Sequence, residues 1–137
     1  MRPRPLTIRG SVARAISQQN AADVSDIPFQ LRSSRVGDAV VLAVVGEIDM
    51  ATAPEVERAI DGGHDDARRV VVDLTEVTFL DSSALNALVH SQRNLAEHDI
   101  AFRIVSPSDH AVRNVFDITH LTGPLSVVDS VDDALAN

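Results

Sequence analysis

The sequence predicts an α/β domain, a mixed sheet of four to five strands with helices packed on it. Three observations lead there. Apolar runs of strand length alternate with segments whose apolar residues recur at helical spacing. A Gly37-Asp38 pair stands between the first two such runs, as a hairpin turn requires. After that hairpin strands and helices alternate, the order that builds a mostly parallel or mixed sheet. A chain of 137 residues is long enough for one domain with its own core.

The elements follow in order. Residues 1–26 hold Pro3, Pro5, scattered arginines and the polar stretch SQQNAADVSD, with no sustained apolar period. They are expected to form a flexible N-terminal extension, with residues 27–137 as the folded domain. A short helix over 11–22 that docks on the body is the alternative, although isolated helices of that length are rarely stable in water. Phe29 and Leu31 alternate with polar residues and lead into the hairpin. Residues 39–45, almost wholly apolar, predict a central strand. Thr52-Ala53-Pro54-Glu55 reads as a capping box, with Thr52 as N-cap and Glu55 reaching back. Val56, Ala59 and Ile60 supply that helix's apolar face, and Gly62-Gly63 ends it.

Residues 69–74, rich in β-branched side chains, predict the next strand. A helix from about Ser83 to His98 follows, with Leu85, Leu88, Val89, Leu95 and Ala96 at helical spacing. Residues 100–105 form a strand. Residues 107–109 open a helix that presents Ala111, Val112, Val115 and Phe116 inward. Residues 125–128 are the last strand, and Ser130 caps a short final helix carrying Val131, Ala134 and Leu135. The expected core comprises Val41, Leu42, Val44, Val71, Leu74, Leu85, Leu88, Ile104, Val112 and Phe116.

Composition excludes several functions. There is no cysteine, hence no disulfide, thiolate zinc site or cysteine nucleophile. No glycine-rich phosphate loop, nucleophile elbow or H-E-x-x-H motif occurs, and the five histidines lack ligand spacing. An enzyme is therefore not expected, nor a metal or other cofactor. No apolar run reaches the roughly 18 residues that span a bilayer, and the N-terminus lacks a secretory h-region, so the expectation is a cytoplasmic protein with no membrane partner. All twelve basic residues are arginine. Residues 36–137 carry six arginines against eighteen acids, an acidic body that argues against direct nucleic-acid binding and suits a basic protein partner.

The most informative stretch joins a strand to a helix. Asp81, Ser82 and Ser83 are residue types that favour a helix N-cap. A serine there is accessible and surrounded by backbone N–H groups and the positive end of the helix dipole. A phosphate at such a place adds roughly −1.5 to −2 charges, which makes the junction a candidate switch.

Three motifs then resemble one family, in its usual order and spacing. GEIDMATA at 46–53, DLTEVTFLDSSAL at 73–85 and AVRNVFDITHL at 111–121 are similar to the STAS domain, and most of all to the free-standing bacterial anti-sigma factor antagonists. The resemblance spans about residues 28–136 and makes the fold a STAS-like single domain. It implies a protein that binds an anti-sigma factor with serine kinase activity and so releases a sigma factor. In that family the kinase phosphorylates the serine after the aspartate of D-S-S, here Ser82; the modified antagonist lets go, and a phosphatase restores it. The resemblance further implies that Asp49, Asp81, Ser82, Ser83 and Ala84 contact the partner, with the chain a monomer or weak dimer. Ala84 stands where the family commonly has glycine, and its methyl is expected to reduce a partner's close approach. His120 also stands where a glycine is frequent. The alternative is a STAS accessory or sensor subunit, in a transporter complex or binding a small molecule, that is not regulated by phosphorylation.

Overall fold

The described residues form five strands and four helices. The computed structural model describes residues 27–64 and 66–136, and the expected extension over 1–26 lies outside them. Strand β1 (Gln30–Val36) and strand β2 (Ala39–Ile48) form the hairpin, with Gly37 at φ +61° in the turn, a conformation glycine adopts without steric cost. Helix α1 (Ala53–Gly62) leads to β3 (Arg69–Leu80), and α2 (Ser82–Glu97) to β4 (Ala101–Val105). Helix α3 (Ala111–Ile118), the two-residue strand β5 (Val127–Val128) and helix α4 (Val131–Ala136) complete the chain.

The strand order is β1-β2-β3-β4-β5, antiparallel at the hairpin and parallel thereafter. Each parallel step is bridged by a helix, as parallel neighbours require. Alternate residues of the central strands divide into two cores. Leu42, Val44, Val70, Val72, Leu74 and Ile104 join Val56, Ile60, Leu88, Leu95, Val112 and Phe116 in the larger one, so α1, α2 and α3 share a face. Val41, Val71 and Val105 face the other way, where Ala134 of α4 covers them. Arg69 anchors that small helix by donating from Nη1 to the Ala134 carbonyl at 2.8 Å.

The structure bears out the fold class and corrects several details. Strand β3 runs six residues past the expected end at Leu74. Its pairing with β2 has two irregularities, between Ala43 and Val45 and between Gly46 and Glu47. Each inserts an extra residue on β3, so the buried side chains there, Leu74, Val77 and Leu80, come every third position rather than every second. That spacing disguises a strand. Thr52 is not a capping-box serine equivalent: its Oγ1 donates to the Glu47 carbonyl at 2.9 Å and makes no cap bond to the helix. Leu85 is only half-buried against the core, and Ala96 and Ala111 are exposed. Helix α3 starts later than expected, with His110 as N-cap accepting from the Val112 N–H at 3.3 Å. Leu125, expected in a strand, is a buried turn residue.

Candidate functional site

Strands β2 and β3 deliver the key acids to the same end of the sheet. Ile48 pairs with Leu80, so the next residue on each strand, Asp49 and Asp81, leaves the sheet beside its neighbour. The Asp81 N–H donates to the Ile48 carbonyl at 3.2 Å and holds the two exits together. Beyond them each chain turns into a helix.

Each aspartate organises its own turn. Asp49 Oδ1 accepts from the Ala51 N–H at 2.9 Å and the Thr52 N–H at 3.2 Å, while the Asp49 N–H donates to Thr52 Oγ1 at 2.9 Å. Asp81 is the true N-cap of α2, its Oδ1 accepting from the Ala84 N–H at 3.1 Å. Its carbonyl takes the Leu85 N–H, also at 3.1 Å. Asp81 Oδ1 thus satisfies one of the N–H groups that a helix start leaves without intrahelical partners.

Ser82 is exposed, Ser83 half-buried and Ala84 fully buried. The exposed hydroxyl is thus the one directly after Asp81. Ala84 belongs to the larger core, where its methyl packs inward. His120, the other position where the resemblance suggests glycine, takes φ +61°, the left-handed conformation a glycine adopts more readily.

Two large apolar side chains at this end were not singled out from the sequence. Met50 follows Asp49 and is 76% exposed, and Phe79, paired across from Glu47, is 48% exposed. Their signal was an apolar residue within two positions of each turn acid that fits neither neighbouring period. Exposed apolar groups next to an accessible hydroxyl form a surface suited to a protein contact. Alongside runs an open groove of about 650 Å³ between α1 and α2, bordered by Met50, Pro54, Glu57, Ser83, His90 and Arg93 among others. Across it His90 Nδ1 lies 3.2 Å from Glu57 Oε2.

Among the described residues no group of three His, Asp or Glu side chains is placed to hold a metal ion. His98 Nδ1 lies 2.9 Å from the Asn94 carbonyl at the end of α2, and His110 caps α3, so these two stand at helix ends. No helix of the described residues is long and apolar enough to cross a membrane.

With this geometry in place, comparison with known proteins is decisive for the family. A family model described as STAS domain matches residues 30–134. The chain belongs to the STAS domain family. Its STAS fold aligns with a crystal structure titled as an anti-sigma factor antagonist from Mycobacterium paratuberculosis, at TM-score 0.71 and 30% identity over 79% of this chain and 92% of that one. A protein named anti-sigma-B factor antagonist from Listeria monocytogenes is 32% identical over 91 residues, 66% of this chain and 79% of the relative. One of the same name from Staphylococcus aureus is 34% identical over 79 residues, 57% of this chain and 72% of the relative.

Proposed function

We propose that this STAS domain is an anti-sigma factor antagonist, switched off by phosphorylation at Ser82. A single observation carries the reading: an exposed hydroxyl at the first position of α2, directly after its capping aspartate and beside Asp49. The names of its relatives support the partner class. The partner in this reading is an anti-sigma factor that is also a serine kinase, and a phosphatase reverses the modification. No enzymatic activity is assigned to the chain itself.

Phosphotransfer joins Ser82 Oγ to the terminal phosphorus of the kinase's ATP. The bond to ADP breaks, and the hydroxyl proton passes to a base on the kinase. The resulting phosphate adds roughly −1.5 to −2 charges next to Asp49 and Asp81. In the free protein, water screens that repulsion and the N–H groups of Ser82 and Ser83 at the helix start can donate to the phosphate oxygens. Phosphate at a helix N-terminus gains about 0.3–1 kcal/mol, so the modified domain stays folded. Inside a protein interface the same charge is desolvated and unpaired, which costs several kcal/mol. The switch therefore acts on binding and leaves the fold intact.

A pull-down of the full chain from its native cell, with mass spectrometry of the bound proteins and of Ser82, tests this. A kinase-like ATPase together with phosphate on Ser82 is the expected result. Recovery of a transporter ATPase with Ser82 never modified would overturn the reading in favour of an accessory subunit.

A further inference from the structure

Between β2 and α1 the chain passes through the turn Asp49-Met50-Ala51-Thr52, which hydrogen bonds tie down from both ends. The Asp49 carbonyl accepts from the Thr52 N–H at 3.1 Å and from the Ala53 N–H at 2.8 Å. Asp49 Oδ1 accepts from the N–H groups of Ala51 and Thr52. Thr52 Oγ1 is used both ways: it accepts from the Asp49 N–H and donates to the Glu47 carbonyl, each at 2.9 Å. That one hydroxyl links the start of the helix to the last residues of the strand. Threonine is β-branched, which restricts its side-chain torsion and keeps the hydroxyl in place.

What this ordered turn presents is Met50. Its side chain belongs to neither core and is 76% exposed. Nothing in the turn requires an apolar residue there, because the bonds that shape it come from Asp49, Ala51, Thr52 and Ala53. Single exposed apolar side chains are ordinary on a protein surface. Met50 is set apart by its place: it lines the same groove as Ser83, beside the helix start that carries Ser82. Val36, 47% exposed, stands at the hairpin and so at the opposite end of the sheet.

A partner that covers Met50 gains in two ways. The unbranched thioether side chain adapts to the shape of an apolar pocket, and burying a side chain of this size changes affinity by about 10- to 100-fold. The turn is already ordered in the free chain, so binding does not have to order it. A loose loop would lose part of the same gain in conformational freedom.

We propose that Met50 is the apolar anchor through which the chain holds its anti-sigma factor, seated in an apolar pocket of that partner, and that Thr52 is the positioning residue that keeps Met50 in place. The identity of the partner rests on the function proposed above. Affinity is carried by Met50, and its control by Ser82.

The test uses the full-length chain and the kinase-like ATPase it recovers from its native cell. The readouts are partner affinity and the KM and kcat of phosphate incorporation at Ser82. Met50→Ala should keep the parent's melting curve and bind about 10-fold or more weakly. Its KM should rise in step at unchanged kcat, because docking is impaired and the acceptor hydroxyl is not. Thr52→Val, which keeps the shape and loses the hydroxyl, should show the same split and faster hydrogen exchange at the Asp49 amide. Thr52→Ser should restore both, and Val36→Ala should match the parent. Undiminished binding by Met50→Ala or by Thr52→Val overturns the proposal, as does a fall in kcat at unchanged KM. So does a loss in Val36→Ala equal to that in Met50→Ala, or a Thr52→Ser variant as weak as Thr52→Val. If Met50→Ala binds undiminished while Ser82→Asp releases the partner, the anchor fails and the Ser82 reading stands. If Met50→Ala weakens binding but Ser82 never takes up phosphate, the Ser82 reading fails and the anchor stands. A parent chain that recovers no kinase-like ATPase ends both before any variant is compared.

Discussion

Replacing Ala84 with glycine separates a core role from a partner-facing one. In the structure Ala84 is fully buried in the main core, and its N–H is held by Asp81 Oδ1 at 3.1 Å. Removing the methyl forfeits about 0.8 kcal/mol of burial. Glycine in a helix costs up to about 1 kcal/mol relative to alanine, less in the first turn. The expected loss is therefore about 1–2 kcal/mol. With a urea dependence of about 1–3 kcal/mol per molar, the unfolding midpoint should fall by about 0.3–2 M. The assay pairs that midpoint with the rate of phosphate incorporation at Ser82 under conditions where both variants are folded. The structure predicts a lower midpoint and an unchanged rate, since the methyl points away from any partner. An unchanged midpoint with faster phosphotransfer would refute this reasoning and return the methyl to the docking surface.

Leu88→Ala should cost about 2–5 kcal/mol, because Leu88 is 1% exposed in the main core, and an unchanged denaturant midpoint would mean α2 packs on another face. Asp81→Ala should cost about 1 kcal/mol through loss of the α2 cap, read in the same denaturation experiment. Glu55→Ala should stay within about 0.5 kcal/mol, because Thr52 spends its hydroxyl on the Glu47 carbonyl and forms no capping box; a loss of 1 kcal/mol or more would restore that motif. Deleting residues 1–26 should leave the domain folded, because that stretch lacks the apolar periodicity needed to offset its ordering entropy, and a fall in melting temperature of many degrees would refute this.

Most of the architecture was legible because strand and helix periods are clean where an element packs in the ordinary way. Residues 39–45 show unbroken apolar character because β2 is covered on both faces over most of its length. Val56 and Ile60, at a helical interval, read as one face of α1 and are buried. Legibility failed where geometry alters the period. The two irregularities between β2 and β3 turn Leu74, Val77 and Leu80 into a three-residue repeat that no strand template matches. Thr52 is the N-cap of α1 as expected, but the capping box does not form, because the sequence shows a hydroxyl three residues before Glu55 but not that Asp49 already closes the turn. At the site, residue types at 81–83 marked the junction. The inward direction of Ala84 and the exposure of Met50 and Phe79 depend on how α2 sits on the sheet, which local sequence does not encode.

The central claim is that Ser82 is the hydroxyl through which partner binding is controlled. It is tested most directly by measuring phosphate incorporation and partner affinity for Ser82→Ala, Ser83→Ala and Ser82→Asp with the kinase recovered from the native cell. Ser82→Ala should bind as the parent does and take up no phosphate, with Asp81 still capping α2. Ser83→Ala should still be phosphorylated. Ser82→Asp adds a third acid to the end of the sheet where Asp49 and Asp81 emerge, and a like-charge pair there costs about 1–2 kcal/mol more in a partly desolvated contact than in water. Affinity should accordingly fall about 30-fold or more, mainly through faster dissociation. Phosphate uptake that survives Ser82→Ala and vanishes in Ser83→Ala would contradict the account, as would a Ser82→Asp variant that binds its partner undiminished.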